Sequence, residues 1–428
     1  MNKSIISADN KKTVLDNGLR IVTNTIQHTN GVSINYLFGA GSRYESVNLS
    51  GASHLFEHVL FKGTKKRPTP KEISSVVENV GGTINAFTDR EITGYWCMIP
   101  KINYEDGIEV ISDMIKNSLL RNEDIDNEKK VIYEEIRASI DSSPTKAQMN
   151  LERLIWPNQP LGQDIAGTVN SVEKISRTQM IKYLQSQYVA SNTVIAVSGN
   201  IDHTEIVNQV EKNMGDFTEK KIQKMYPFKN NFEGPKIFFE ERKTEQTNIS
   251  IGFHGVSYKS KDRFALTLLS IILGGTMSSR LFEELREKRA LAYDIHSSSQ
   301  SFSDCGIFII EAGIAPSNLN ETIKILISEL SKICNDVSED EVLNSKRLAI
   351  GRMLLRMENS KSVANFIGTQ ELLENKIKNL NEIITMINSV SVNDIKNIAT
   401  KIITPKKIGL SIIGPKCNEE KISNFLNF

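Results

Sequence analysis

From Gly215 to Pro235 the hydrophobic periodicity of this 428-residue chain breaks off, in "GDFTEKKIQKMYPFKNNFEGP", and beyond it the order of elements begins again. Before the break come strands paired about a turn at Asp16-Asn17-Gly18, the strand "GVSINYLFGAG", two helices, and paired strands in "TINAFTDREITGYWCMIP". After it come a strand at "TNISIGFHGV", helices across "DRFALTLLSIILGG" and "SSRLFEELREK", and strands at "AYDIHSSSQ" and "GIFIIEAGI". The likeness lies in the order of elements, not in the letters. It points to the α+β class. Two related domains are expected, 1–214 and 236–428, joined by a linker at 215–235, each a mainly antiparallel sheet packed with helices. A two-fold repeat of whole domains fits better than a shorter solenoid repeat, because no period of about 20 to 50 residues is visible.

Within the first half the second helix is well marked. Thr69 is its expected N-cap, Pro70 opens its first turn and Glu72 sits at the capping-box position. Ile73, Val76, Val77 and Val80 form its apolar stripe, and Gly81-Gly82 end it. Further helices are expected over 104–120, 126–142, 176–186 and 203–214, with a strand at 192–200.

Composition narrows the function classes. Lysine and arginine (52) balance aspartate and glutamate (51), so nothing favours nucleic acid or an anionic membrane as partner. No apolar run approaches the roughly 20 residues of a transmembrane helix. The N-terminal segment has neither the apolar core of a secretory signal nor an Arg-rich transit helix. A cytoplasmic location is therefore expected, with the mitochondrial matrix open if a presequence has been removed. Cys97, Cys305, Cys334 and Cys417 are scattered without a CxxC pair, as reduced thiols would be.

The chemistry concentrates in "SGASHLFEHVLFKGT", residues 50–64, which holds two of the six histidines. On a helix, His54, Glu57 and His58 fall within an arc of about 100°, with Phe61 beside them, while Leu55, Phe56, Val59 and Leu60 fill the other side. Two histidines four apart can point at one ion, and a glutamate between them can act as a base. The order His-x-x-Glu-His is the inverse of the commoner zinc-protease arrangement. On these residues alone, a surface helix with two hydrogen-bonded histidines is an equal reading. The metal reading needs a third ligand, since catalytic zinc keeps three protein ligands and an open position. The helix containing "NEKKVIYEEIRASI" offers Glu128 and Glu135, seven apart on one face, with Val131 and Ile132 between them and Glu134 turned away. Carboxylates on an apolar stripe need a compensating cation or hydrogen bonds; a solvated helix with Glu–Lys pairs is the alternative.

These residues together resemble the inverzincin, or pitrilysin-family, zinc metallopeptidases. "GASHLFEHVLFKGT" is similar to their signature, and nearly the whole chain shares the likeness, being similar to mitochondrial processing peptidase beta-type and bacterial two-domain processing proteases. The resemblance implies Zn2+ held by His54, His58 and Glu135, the last standing 77 residues after His58. It implies Glu57 as the base and Glu128 as support for the ligands. "GGTINAFTDREITGY" resembles an edge strand that pairs with substrate backbone, which assigns Asn85, Ala86 and Phe87 to peptide binding; without the resemblance Phe87 reads equally as a core residue. "PLGQDIAGT" at 160–168 also matches. "GGTMSSRLFEELREKRALAY" resembles the segment supplying an arginine and a tyrosine, here Arg286 and Tyr293, to bind the substrate carbonyl and stabilise the oxyanion. By residue type alone these two are a solvated helix residue and a half-buried strand residue. The family implies an endopeptidase acting on unfolded peptides or presequences. It also implies a partner: a homodimer, or a related second subunit, in which this chain forms half of a clamshell chamber. Degenerate relatives serve instead as non-catalytic structural or partner subunits of a heteromeric protease, which is the rival reading; such chains typically lose the residues this one keeps.

Overall fold

The computed structural model describes residues 10–218, 220 and 222–427. The first sheet contains β1 (Asn10–Val14), β2 (Arg20–Thr25), β3 (Gly31–Phe38), β4 (Thr83–Thr88), β5 (Thr93–Pro100) and β6 (Thr193–Gly199), in the order β1-β2-β6-β3-β5-β4. Its pairs are antiparallel except β2 with β6. The second sheet contains β7 (Lys236–Glu241), β8 (Thr247–His254), β9 (Ala292–Ser301), β10 (Gly306–Ile314) and β11 (Gly409–Gly414), in the order β7-β11-β8-β10-β9. Here too one pair, β7 with β11, is parallel and the rest are antiparallel. The two orders superpose strand for strand from β2 onward, which is the repeat that the sequence displays.

Helices cover each sheet. The first half contributes α1 (Ala52–Leu60), α2 (Pro70–Glu78), α3 (Tyr104–Asn117), α4 (Asn122–Asp141) and α5 (Ser143–Ile155). The capping box expected at Thr69 and Glu72 is present, with Pro70 at the first helical position. β3 is buried on both faces and its Tyr36 donates to the Ile108 carbonyl of α3, so sheet and helix close on one core that includes Leu55, Phe56, Val59 and Leu60 of α1.

The compact units are not successive blocks of chain. One comprises the stretch up to Ile136, Asp164–Tyr226 and Leu354–Asn381; the other comprises Arg137–Gln163, Pro227–Met353 and Glu382–Phe428. Against the boundaries 1–214, 215–235 and 236–428 read from the sequence, two helical stretches are exchanged, and the division between units falls inside the linker. The reason is steric fit. α5 lays Leu151 and Ile155 over Gly252 of β8 and Gly409 of β11, where a Cβ on Gly252 would come within 2.7 Å of Ile155. The helix Ser360–Glu374 packs on β3 and β6 through its own glycine: a Cβ on Gly368 would lie 2.5 Å from Leu37 and 2.7 Å from Ala196. Buried Glu371 fastens that helix by accepting from Lys12 Nζ at 2.7 Å, and Arg20 donates to its carbonyl at 3.1 Å.

A candidate metal centre on α1

α1 begins at Gly51, whose φ of +93° is open to glycine and strained for other residues. A side chain there would also collide with the Ala166 carbonyl at 2.5 Å. Gly167 approaches the Ser50 carbonyl in the same way, so the "PLGQDIAGT" stretch fixes where the helix starts. From that start, Leu55, Phe56, Val59 and Leu60 are wholly buried and His54, Glu57 and His58 lie half-buried on the other face.

The two imidazoles stand 4.7 Å apart between ring centres. Nε2 of His54 and Nε2 of His58 each lie 3.7 Å from Oε2 of Glu135. One donor atom from each of the three residues falls within 4.8 Å of the others. Ligands bonded to tetrahedral zinc at 2.0–2.1 Å sit about 3.3 Å apart, so small side-chain adjustments suffice to close the set. A donor set of two imidazoles and one carboxylate also suits that ion's chemistry.

The surroundings prepare these donors. Oε2 of Glu128 lies 3.0 Å from Nδ1 of His58 and can only accept, so Nδ1–H donates to it and Nε2 is the ring nitrogen turned toward Glu135. The other Glu128 oxygen takes Lys62 Nζ at 2.6 Å. This pairing compensates a carboxylate that is only 7% exposed. Burial, aided by the proximity of His58, pushes the His54 pKa down to about 4, which keeps its ring neutral near pH 7. On α4 the buried stripe is Ile125, Glu128, Ile132 and Ile136, at helical spacing. Glu135 stands at the rim of that stripe, whereas Val131, expected among the buried residues, is exposed because it falls about 100° round the helix from Ile132 at the stripe's centre.

Glu57 is held as well. Its Oε2 accepts from Thr88 Oγ1 at 2.6 Å, a bond that reaches from α1 to the end of β4. Burial pushes the Glu57 pKa up; the Thr88 hydrogen bond and His58 pull it down, and Glu135 adds to the rise. β4 is an edge strand, paired with β5 alone among the described strands. Its Asn85 is exposed, and Ala86 and Phe87 are half-buried. The Phe87 ring lies over Gly94, where a Cβ would come within 2.5 Å of it.

Arg286 and Tyr293 belong to the second unit and meet each other there. The Arg286 guanidinium lies 5.6 Å from the Tyr293 ring centre and 4.8 Å from that of Phe282. Arg286 sits in a π-helical turn, Glu283–Glu287, a local irregularity frequent at functional sites. Tyr293 is 75% exposed, not half-buried. The supporting residues Lys62 and Thr88 were not singled out in the sequence. Lys62 carried a signal, four positions after His58; Thr88 carried none, because its partner is brought in by the fold.

A helix-borne His-x-x-Glu-His motif facing a glutamate from a second helix, on one of two like-ordered α+β units, defines a class of histidine-carboxylate metal centres. The comparisons with known proteins take the assignment further. A family profile described as "Insulinase (Peptidase family M16)" matches residues 20–169, and one described as "Peptidase M16 inactive domain" matches 174–348. An "uncharacterized zinc protease" of Streptomyces coelicolor is 32% identical over 412 residues, 95% of this chain and 89% of the relative. Another so named from Rickettsia felis is 33% identical over 402 residues, 94% of this chain and 96% of that protein. The crystal structure of a protease from Helicobacter pylori shares the fold, with a TM-score of 0.89 at 23% identity, over 95% of this chain and 100% of that one. The chain belongs to peptidase family M16, the pitrilysin family. No helix among the described residues is long and apolar enough to cross a membrane.

Proposed function

We propose that this chain is a zinc-dependent endopeptidase for unfolded peptides or presequences, working in a chamber that a second subunit, identical or related, completes. The observation that carries the reading is the convergence of His54, His58 and Glu135 with Glu57 on the same face of α1. Zinc, when bound by the three donors, supplies a Lewis acid that polarises a carbonyl and acidifies water. Glu57 does the proton work. Thr88 occupies Oε2, leaving Oε1 to take a proton from the attacking water as its oxygen adds to the scissile carbonyl carbon. The same proton passes to the departing amine nitrogen as the C–N bond breaks, and Glu57 returns to its carboxylate form. A pKa raised by burial makes it a stronger base than an exposed glutamate.

Glu128 holds the His58 ring in its ligating tautomer. Asn85, Ala86 and Phe87 offer the free edge of β4 to substrate backbone, which gives affinity with loose side-chain selection. In this reading Arg286 and Tyr293 bind the substrate carbonyl and stabilise the oxyanion.

Glu57→Gln tests the assignment, since it removes the base and leaves the three donors. Zinc content is expected to persist while peptide cleavage falls at least about 100-fold; full activity with zinc retained would remove Glu57 from this role. The rival reading, a non-catalytic partner subunit, draws support from the "inactive domain" profile over 174–348. It predicts no chelator-sensitive cleavage by the wild-type chain.

A further inference from the structure

Glu45 lies outside every motif described above, follows the short helical turn Ser42–Tyr44 and is 1% exposed. Its two oxygens are both used at the start of α1. Oε2 accepts the Gly51 N–H at 2.8 Å, and Oε1 accepts the Ser53 N–H at 2.6 Å. The Ser53 hydroxyl bonds to the same carboxylate and to the Tyr183 hydroxyl, 2.7 Å away, which is in turn bonded by the Gly41 backbone. A carboxylate accepts and does not donate, so the donors run one way: Gly41 N–H to Tyr183, Tyr183 O–H to Ser53, Ser53 O–H to Glu45. Three donors, from Gly51 and Ser53, therefore converge on one buried acceptor, and Ser53 immediately precedes His54 in the sequence.

We propose that Glu45 is a positioning residue for the metal centre, fixing the rotation and axial register of α1 so that His54 and His58 meet Glu135. The inference rests on the zinc reading given above. The apolar side of α1 resists leaving the core but has no directional preference, because hydrophobic burial is non-directional. Hydrogen bonds to the first-turn amides are directional. His54, Glu57 and His58 move as one body with the helix, whereas Glu135 is carried by α4. A slip of α1 by about 1 Å exceeds the roughly 0.5 Å within which a set of metal donors must be held.

The test is the affinity of the full-length chain for Zn2+, measured by competition with a chromophoric chelator, with Co2+ absorption as a report on ligand geometry. Glu45→Gln places an amide donor against a backbone N–H and is expected to weaken zinc binding about tenfold or more and to alter the cobalt spectrum. Glu45→Asp keeps the acceptor and should recover part of the loss. Glu371→Gln, at an equally buried carboxylate in the same unit, should lower stability and leave zinc affinity unchanged. A folded Glu45→Gln chain with wild-type zinc affinity would overturn the proposal. If that variant does not fold, Tyr183→Phe and Ser53→Ala remove donors further along the same network. Zinc affinity unchanged in both would overturn it equally. A wild-type chain that binds no zinc would instead refute the metal centre itself.

Discussion

At Glu57 one carboxylate oxygen is tied to Thr88, which orients the side chain proposed as the base. Thr88→Val keeps the shape and removes the hydroxyl. A hydrogen bond to a charged group contributes about 1.5–3 kcal/mol, so kcat/KM should fall about tenfold or more with zinc content unchanged; assays of peptide cleavage beside metal analysis would show this. A second residue has consequences for stability. His254 donates Nε2–H to the Ile155 carbonyl at 3.1 Å within a group formed by Trp156, Phe228 and Phe232. Burial lowers its pKa; Lys407 also lowers it and the Ile155 bond partly opposes them. The unfolded chain therefore binds a proton near pH 6.5 while the folded chain does not. Its contribution is full above about pH 6.5 and is lost as pH falls toward the depressed folded value, by up to about 1.4 kcal/mol per pH unit. Urea midpoints measured from pH 7.5 to 5 should decline less steeply for His254→Phe than for wild type; parallel declines would contradict this. The His-x-x-Glu-His order was legible because its spacing is local to α1, whereas the choice of Glu135 as third donor came from the family resemblance. The sequence did not show Glu45 or Thr88, whose partners come from separate elements.

Among the elements, α1 and α4 are ordinary amphipathic helices made special by what each places on its polar rim. Their outlines were legible: the stripe on α1, the capping box on α2 and the seven-residue spacing of Glu128 and Glu135 need no tertiary information. The exchanged helices were not. An apolar face on α5 says that it will be buried, but which sheet receives it depends on glycines more than 90 residues away, at Gly252 and Gly409. Gly368 offers the sharpest test of that packing. Gly368→Val would drive a branched side chain into Leu37 and Ala196, and overpacking of this kind costs about 1–3 kcal/mol. Thermal or urea unfolding should register the loss; wild-type stability would contradict the close approach of this helix to β3 and β6.

Across the whole molecule, two sheets of like order carry different equipment. The first unit bears the candidate donor triad with Glu57 beside it in sequence, and the second bears the Arg286–Tyr293 pair. The repeat was readable as an order of elements because each half alternates strand and helix patterns in the same succession. The exchange of 137–163 and 354–381 was hidden because a linear pattern cannot say which of two similar cores a helix will join. Membership of family M16 makes a metallopeptidase the reading to test, and the central claim is that this chain cuts unfolded peptide with its own metal centre. The most direct measurement is zinc content of the purified chain together with cleavage of an internally quenched unstructured peptide, before and after chelation and on adding zinc back. The account predicts about one zinc per chain, cleavage abolished by the chelator and restored by zinc. A chain that holds no zinc and cleaves no peptide under any of these conditions would contradict it.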